Sequence, residues 1–118
     1  MKKKVLIVDD SLYMRTLIKD ALVNAGYEVI GMAANGENAI DMAFELQPDI
    51  ITLDNILPDM LGSDILKTLK IEGIESKIVM ISAVGQESIV NDAISSGATK
   101  YLVKPFTTDQ LLDSLKEC

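Results

Sequence analysis

The sequence predicts an α/β fold: an open parallel sheet of five strands, each followed by a helix, with helices on both faces. Three observations predict it. Short apolar runs alternate with longer segments of helical period along the 118 residues, the alternation that parallel sheets require. The runs are apolar without interruption, as strands covered on both faces are. The seven Gly and three Pro stand singly between these segments, with no linker, repeat or low-complexity tract.

Each element follows in order. Val5–Val8 is the first strand, and Leu12 to Asn24 the first helix, with Met14, Leu17, Ile18, Ala21 and Leu22 on one face and Gly26 as its stop. Tyr27–Met32 is a weaker second strand, followed by a helix over Gly36 to Leu46 that turns Ala39, Ile40, Ala43 and Phe44 inward. Ile50–Leu53 is the third strand, and Ser63 to Ile71 a helix with Ile65, Leu66 and Leu69 on its apolar side. Ile78–Ile81 precedes a helix over Glu87 to Ser96 that buries Ile89, Val90, Ala93 and Ile94 and stops at Gly97. Tyr101–Val103 is the last strand, and Thr107 to Glu117 the last helix, with Leu111, Leu112 and Leu115 inward.

Composition excludes several kinds of chemistry. The length fits one domain over residues 1–118, and 48% apolar residues suit a globular core built from aliphatics, with aromatics at 4% and no Trp. A net charge of −7 opposes nucleic acid as a direct partner. Lys2-Lys3-Lys4 is the only basic cluster and reads as a solvated flank; the four apolar residues after it end in two aspartates, too short for a signal peptide. No run approaches a membrane span, so a cytoplasmic protein is expected. With no His there is no Ser-His or Cys-His nucleophile pair, and the lone Cys118 forms no internal disulfide. Neither GxxxxGK[ST] nor GxGxxG occurs, so a phosphoryl donor must be brought by a partner.

Open parallel sheets bind ligands outside the carboxyl ends of their strands. The first strand there ends in Asp9-Asp10, the third in Asp54, the fourth in Ser82-Ala83 and the fifth in Lys104-Pro105. Three carboxylates in one crevice repel unless a cation neutralises them. An all-oxygen ligand set selects Mg2+, which keeps several waters and shares a phosphate oxygen. Lys104 offers a point charge for a phosphoryl group, and Ser82 a hydroxyl donor to one of its oxygens. One carboxylate in those surroundings serves as a nucleophile and forms an acyl phosphate. Asp54, on the central strand, takes that part, with Asp9 and Asp10 as metal ligands. Each residue alone has a plainer reading: turn former or helix cap for an Asp, loop hydroxyl for Ser82, solvated charge for Lys104. Their conjunction on four strand ends carries the argument.

These residues resemble the receiver domains of two-component response regulators, in particular single-domain chemotaxis regulators of the CheY type. The resemblance runs from about Lys4 to Leu115 and rests on VLIVDDS around Asp9-Asp10, DNILPDMLG from Asp54 to Gly62, ISA at Ser82 and YLVKPF from Tyr101 to Phe106. It implies a flavodoxin-like (βα)5 sheet in the order 2-1-3-4-5, the order for which the CheY fold is itself a standard example. By the same resemblance a histidine kinase phosphorylates Asp54. Asp10 holds Mg2+ directly, Asp9 through water, and the backbone carbonyl of Ile56 is a further ligand. Ser82 and Lys104 hold the phosphoryl oxygens, helped by the backbone N–H groups of Ile56 and Ala83. The Lys104–Pro105 bond is cis in the family and aims the ammonium into the site.

Tyr101 stands where the family keeps an aromatic switch, although a half-buried strand aromatic fits that position equally. Phosphorylation is expected to draw Ser82 inward and let Tyr101 turn. The face made by the fourth helix, fifth strand and fifth helix then changes its affinity for a target such as a motor switch or adaptor. A monomer is expected, with a phosphatase as a further partner and no enzymatic activity beyond self-phosphotransfer and slow autodephosphorylation.

Three positions depart from the family pattern. Ile56 and Val84 are apolar where many relatives are polar, and they flank the path of the hydrolytic water, so the lifetime of the acyl phosphate depends on them. Asn55 is polar where an apolar residue is usual, which places its amide either at the rim of the site or on the surface.

Other readings compete. An aspartyl-nucleophile phosphatase would carry a second acid two residues after the nucleophile, where this chain has Ile56. A flavodoxin-like electron carrier would need a hydroxyl-rich loop where Asp9-Asp10 stands. A phosphorelay intermediate, or a receiver cut from a longer regulator, would share all these motifs. The segment SAVGQES, Ser82 to Ser88, resembles loops of chemotaxis regulators outside the enteric type and favours motility. The chain ends with its last helix, and no output domain is expected from it.

Overall fold

Apolar runs with no polar alternation have to be covered on both sides, and the ten elements achieve this by winding helices over each face of one sheet. The structure, a computed structural model, describes residues 2–118; Met1, included in the domain expected over residues 1–118, lies outside the described residues. The elements are β1 (Lys4–Val8), α1 (Leu12–Asn24), β2 (Glu28–Ala33), α2 (Gly36–Leu46), β3 (Ile50–Asp54), α3 (Gly62–Ile71), β4 (Lys77–Ser82), α4 (Glu87–Ser95), β5 (Lys100–Val103) and α5 (Thr108–Lys116). All strands pair in parallel in the order β2-β1-β3-β4-β5, as expected.

Residues alternate between the faces of a strand, so each strand feeds two cores. On one side Leu6, Val8, Ile51, Leu53, Ile78 and Met80 pack under α2, α3 and α4. On the other, Val5, Ile7, Ile50, Val79, Ile81 and Leu102 pack under α1 and α5. Full burial of each large aliphatic side chain contributes about 1.5–3 kcal/mol. Thr52 interrupts the second layer: fully buried, its hydroxyl has no hydrogen-bond partner among the described residues.

The starts of α1, α2 and α5 are fixed by side-chain caps. Ser11 Oγ accepts from the Met14 N–H at 3.2 Å, Asn35 Oδ1 from Asn38 at 2.9 Å, and Thr107 and Gln110 form a reciprocal capping box on α5. Thr107 is therefore the cap of α5 and not its first turn. The largest shift of a strand is at β2, which lies one residue later than its apolar run and slips register against β1 between Val5 and Leu6. As an edge strand it is only half-buried, so hydropathy marks it weakly.

Candidate functional site

Parallel registration brings the carboxyl ends of β1, β3, β4 and β5 to one edge. Asp54 is the last residue of β3, opposite Ile81, and Ser82 the last of β4, opposite Val103. Loop backbone bonds continue the alignment: the Asp9 N–H donates to the Ala33 carbonyl at 3.0 Å, Asn55 to Ile81 at 3.0 Å, and Lys104 to Ser82 at 2.8 Å. Strand pairing thus extends beyond the strands and holds each site residue at a fixed height.

Asp9, Asp10 and Asp54 meet there, each offering a carboxylate oxygen within 4.8 Å of the others. Asp9 and Asp54 are buried, whereas Asp10 is exposed. Lys104 reaches in from β5, its Nζ 3.2 Å from Asp9 Oδ2 and 3.5 Å from Asp54 Oδ1; the Lys104–Pro105 bond is cis. Asp9 Oδ1 accepts the Ser11 N–H at 2.9 Å, a turn formed by an Asp two residues ahead of its donor. No described hydrogen bond or ion pair engages the Asp10 carboxylate.

One ammonium does not neutralise three carboxylates. Burial, and next the charge of Asp9, push the Asp54 carboxyl above its ordinary value, while Lys104 and the Ile56 N–H pull it back. The group still lacks positive charge, and its donors are all oxygen. That donor set fits a small hard divalent cation such as Mg2+.

The β3–α3 loop, which follows Asp54, bends back on itself. Gly62 donates to the Asn55 carbonyl at 2.6 Å and Leu57 to Met60 at 3.1 Å, bonds in which the Ile56 carbonyl takes no part. The Ile56 N–H lies 3.5 Å from Asp54 Oδ1, and its side chain is exposed. Two residues that the sequence reading left without a role shape this loop. A Cβ on Gly62 would stand 2.5 Å from the Asp54 carbonyl oxygen, so only glycine fits. Asp59 clasps the start of α2, accepting from Gly36 at 2.7 Å and Glu37 at 3.0 Å, and these bonds hold its carboxyl below the usual range. Gly62 was visible as the end of the DNILPDMLG motif; the Asp59 clasp spans too much sequence to be read from it.

Ser82 and Tyr101 are joined through one residue. The Val84 N–H donates to Ser82 Oγ at 3.1 Å, and the half-buried Tyr101 hydroxyl donates to the Val84 carbonyl at 2.6 Å. Asn55 turns away from the acidic group and lines a cavity of about 300 Å3 with Leu66, Met80, Ile89, Ala93 and Tyr101. It is half-buried there, since the alternation that points Asp54 to one side sends its neighbour to the other. Ala83 is exposed beside Ser82, and its N–H is free of described hydrogen bonds.

The comparisons with known proteins agree with this geometry. The response regulator receiver domain family matches residues 5–116. The chain is 43% identical to the chemotaxis protein CheY of Thermotoga maritima, and 43% to that of Bacillus subtilis, over 99% of this chain and 98% of each relative. Among solved structures, the CheX-CheY-BeF3-Mg2+ complex of Borrelia burgdorferi contains a chain that superimposes with a TM-score of 0.93 at 32% identity, covering 96% of this chain and 86% of that one. On its sequence, its strand order and the residues gathered at its carboxyl edge, the chain belongs to the response regulator receiver family.

Proposed function

We propose that the protein is a phosphorylation-dependent switch of a two-component system, serving chemotaxis, with Asp54 as the phosphoryl acceptor. The observation that carries this reading is the buried Asp54 carboxylate gathered with two further aspartates and with Lys104, whose ammonium reaches both Asp54 and Asp9. A histidine kinase supplies the donor, since the chain has no His and no nucleotide loop of its own. An Asp54 oxygen attacks the phosphorus, the bond from phosphorus to the donor nitrogen breaks, and the released imidazole takes a proton from water. Bound Mg2+ supplies charge stabilisation to the transferring group.

The division of ligands follows from commitments already made. Both Asp9 oxygens are engaged, by Ser11 and Lys104, which suits contact with the ion through water. Asp10 and the Ile56 carbonyl are uncommitted and suit direct ligation. The Ser82 hydroxyl, Lys104 Nζ and the N–H groups of Ile56 and Ala83 are the donors for the phosphoryl oxygens. If Ser82 Oγ turns toward that group, the Val84 N–H loses its acceptor, and the loop carrying the Tyr101 anchor is released. The face of α4, β5 and α5 then changes its affinity for a target, a motor switch or adaptor. A phosphatase that clears the acyl phosphate is a further partner. Catalysis is confined to self-phosphotransfer and slow autodephosphorylation. The expected setting is cytoplasmic; among the described residues no helix is long and apolar enough to cross a membrane.

The test is incubation with acetyl phosphate and Mg2+, read by intact mass. One phosphoryl group is expected on the wild type, none without Mg2+ and none on Asp54→Ala. Equal labelling of the two proteins would remove Asp54 from its role.

A further inference from the structure

Arg15 is the chain's only arginine, and its charge gains nothing from its own helix. It closes the first turn of α1, at the end where the helix dipole is positive, and no acidic residue of that turn offsets it. Its guanidinium folds back toward the sheet, where Nη1 donates a 2.8 Å hydrogen bond to the backbone carbonyl of Asp9. That carbonyl belongs to the peptide unit joining Asp9 to Asp10, two members of the acidic group. The same turn is held by the Asp9 N–H on the Ala33 carbonyl and by the Ser11 N–H on Asp9 Oδ1. Neither bond fixes the plane of the Asp9–Asp10 peptide as a donor on its oxygen does.

We propose that Arg15 is a positioning residue for the metal site, presenting the Asp10 carboxylate to a divalent cation by locking the Asp9–Asp10 peptide. This rests on the reading of Asp9, Asp10 and Asp54 as a Mg2+ site. The Asp10 side chain is exposed, and no described bond engages its carboxylate, so its backbone alone decides where it stands. A small octahedral ion demands near-ideal ligand placement. Hydrogen bonds that orient ligands from outside the coordination sphere typically change metal affinity about 10–100-fold.

The sign of the effect separates position from charge. Acting through charge alone, Arg15 would oppose the cation, and its removal would tighten binding. Acting through position, its removal weakens binding. Calorimetric titration of the metal-free full chain with Mg2+ decides between them. Arg15→Met, which keeps the aliphatic stem, is expected to bind about tenfold more weakly than wild type. Arg15→Lys keeps the charge without the planar donor and is expected to bind several-fold more weakly. Thermal melts of the metal-free proteins report folding; should the Met variant not fold, the Lys variant decides alone. Wild-type affinity or tighter binding in either folded variant overturns the proposal. Asp10→Asn is the control: if it binds as wild type does, or the wild type binds no Mg2+, the reading of the metal site fails and not the role of Arg15.

Discussion

At their amino ends β1, β4 and β5 begin with Lys4, Lys77 and Lys100, while at their carboxyl ends β1, β3 and β4 run into Asp9, Asp54 and Ser82. The two edges of one sheet carry opposite charge, and they differ more in what is left unpaired. The amino edge is closed. Asp49 accepts the Lys4 N–H at 2.8 Å and returns its own N–H to the Lys4 carbonyl at 2.9 Å, and Ser76 Oγ donates to Pro48 at 2.6 Å. Its ion pair, Lys100 with Glu117, is exposed, with 40% and 59% of the side-chain surfaces open. The carboxyl edge is open in its valences, and its ion pair is largely withdrawn from water. Lys104 and Asp9 pair with 23% and 2% of their side chains exposed, while Asp10, the Ile56 carbonyl and the Ala83 N–H stay uncommitted. Buried charge beside accessible free valences is what a site for a small charged ligand requires.

Lysine removal at each edge sharpens the contrast most. Lys104→Met strands two buried carboxylates, and a loss of about 3 kcal/mol is expected in metal-free urea unfolding. Lys100→Met gives up an exposed pair and is expected to cost less than about 1 kcal/mol. Equal losses would mean that burial does not distinguish the two edges.

Glycines offer the next comparison. In Gly62→Ala the new methyl meets the Asp54 carbonyl oxygen, and about 1–3 kcal/mol of stability should be lost, with slower labelling at Asp54. At Gly73, between α3 and β4, space is open, although its φ of 81° disfavours a side chain; Gly73→Ala is expected to leave labelling unchanged.

Thr52→Val tests the strand between the edges. It removes a buried hydroxyl that has no partner and is expected to stabilise the protein by about 1 kcal/mol. Destabilisation would reveal a bound water under Asp54.

The smallest effect is pH-dependent. The Asp54 carboxyl titrates above its ordinary 3.8 because burial and Asp9 outweigh Lys104. The metal-free folded state therefore holds that proton more tightly than the unfolded chain does. Ionised Asp54 costs stability at neutral pH, and the cost fades as pH falls through the raised value and is gone below 3.8. Asp54→Asn should accordingly be the more stable protein at pH 7, with its advantage vanishing in acid. A constant difference across that range would contradict the linkage.

How much of this was legible beforehand depends on range in sequence. All ten elements and the fold class were readable, because strands buried on both faces leave apolar runs and surface helices leave periodic ones. The sheet order came with the family resemblance, and the meeting of Asp9, Asp10, Asp54, Ser82 and Lys104 at one edge from the residues at strand ends; the roles proposed for them await the labelling experiments. Contacts set by tertiary approach left no periodic signal. Asp59 on the start of α2, Arg15 on the Asp9 carbonyl and Asn55 in the cavity beside Tyr101 all depend on how loops fold back. The strands themselves reach one residue further than hydropathy indicated, since Asp54 and Ser82 pair within the ladder as its last members.

The most direct test of the account is chemical trapping of the modified residue. Protein treated with acetyl phosphate and Mg2+ is reduced with borohydride, which converts an aspartyl phosphate to homoserine, and the product is mapped by peptide mass. Homoserine is expected at position 54 and nowhere else. Homoserine at Asp9 or Asp10, or a phosphate on Ser82 that survives the reduction, would contradict it.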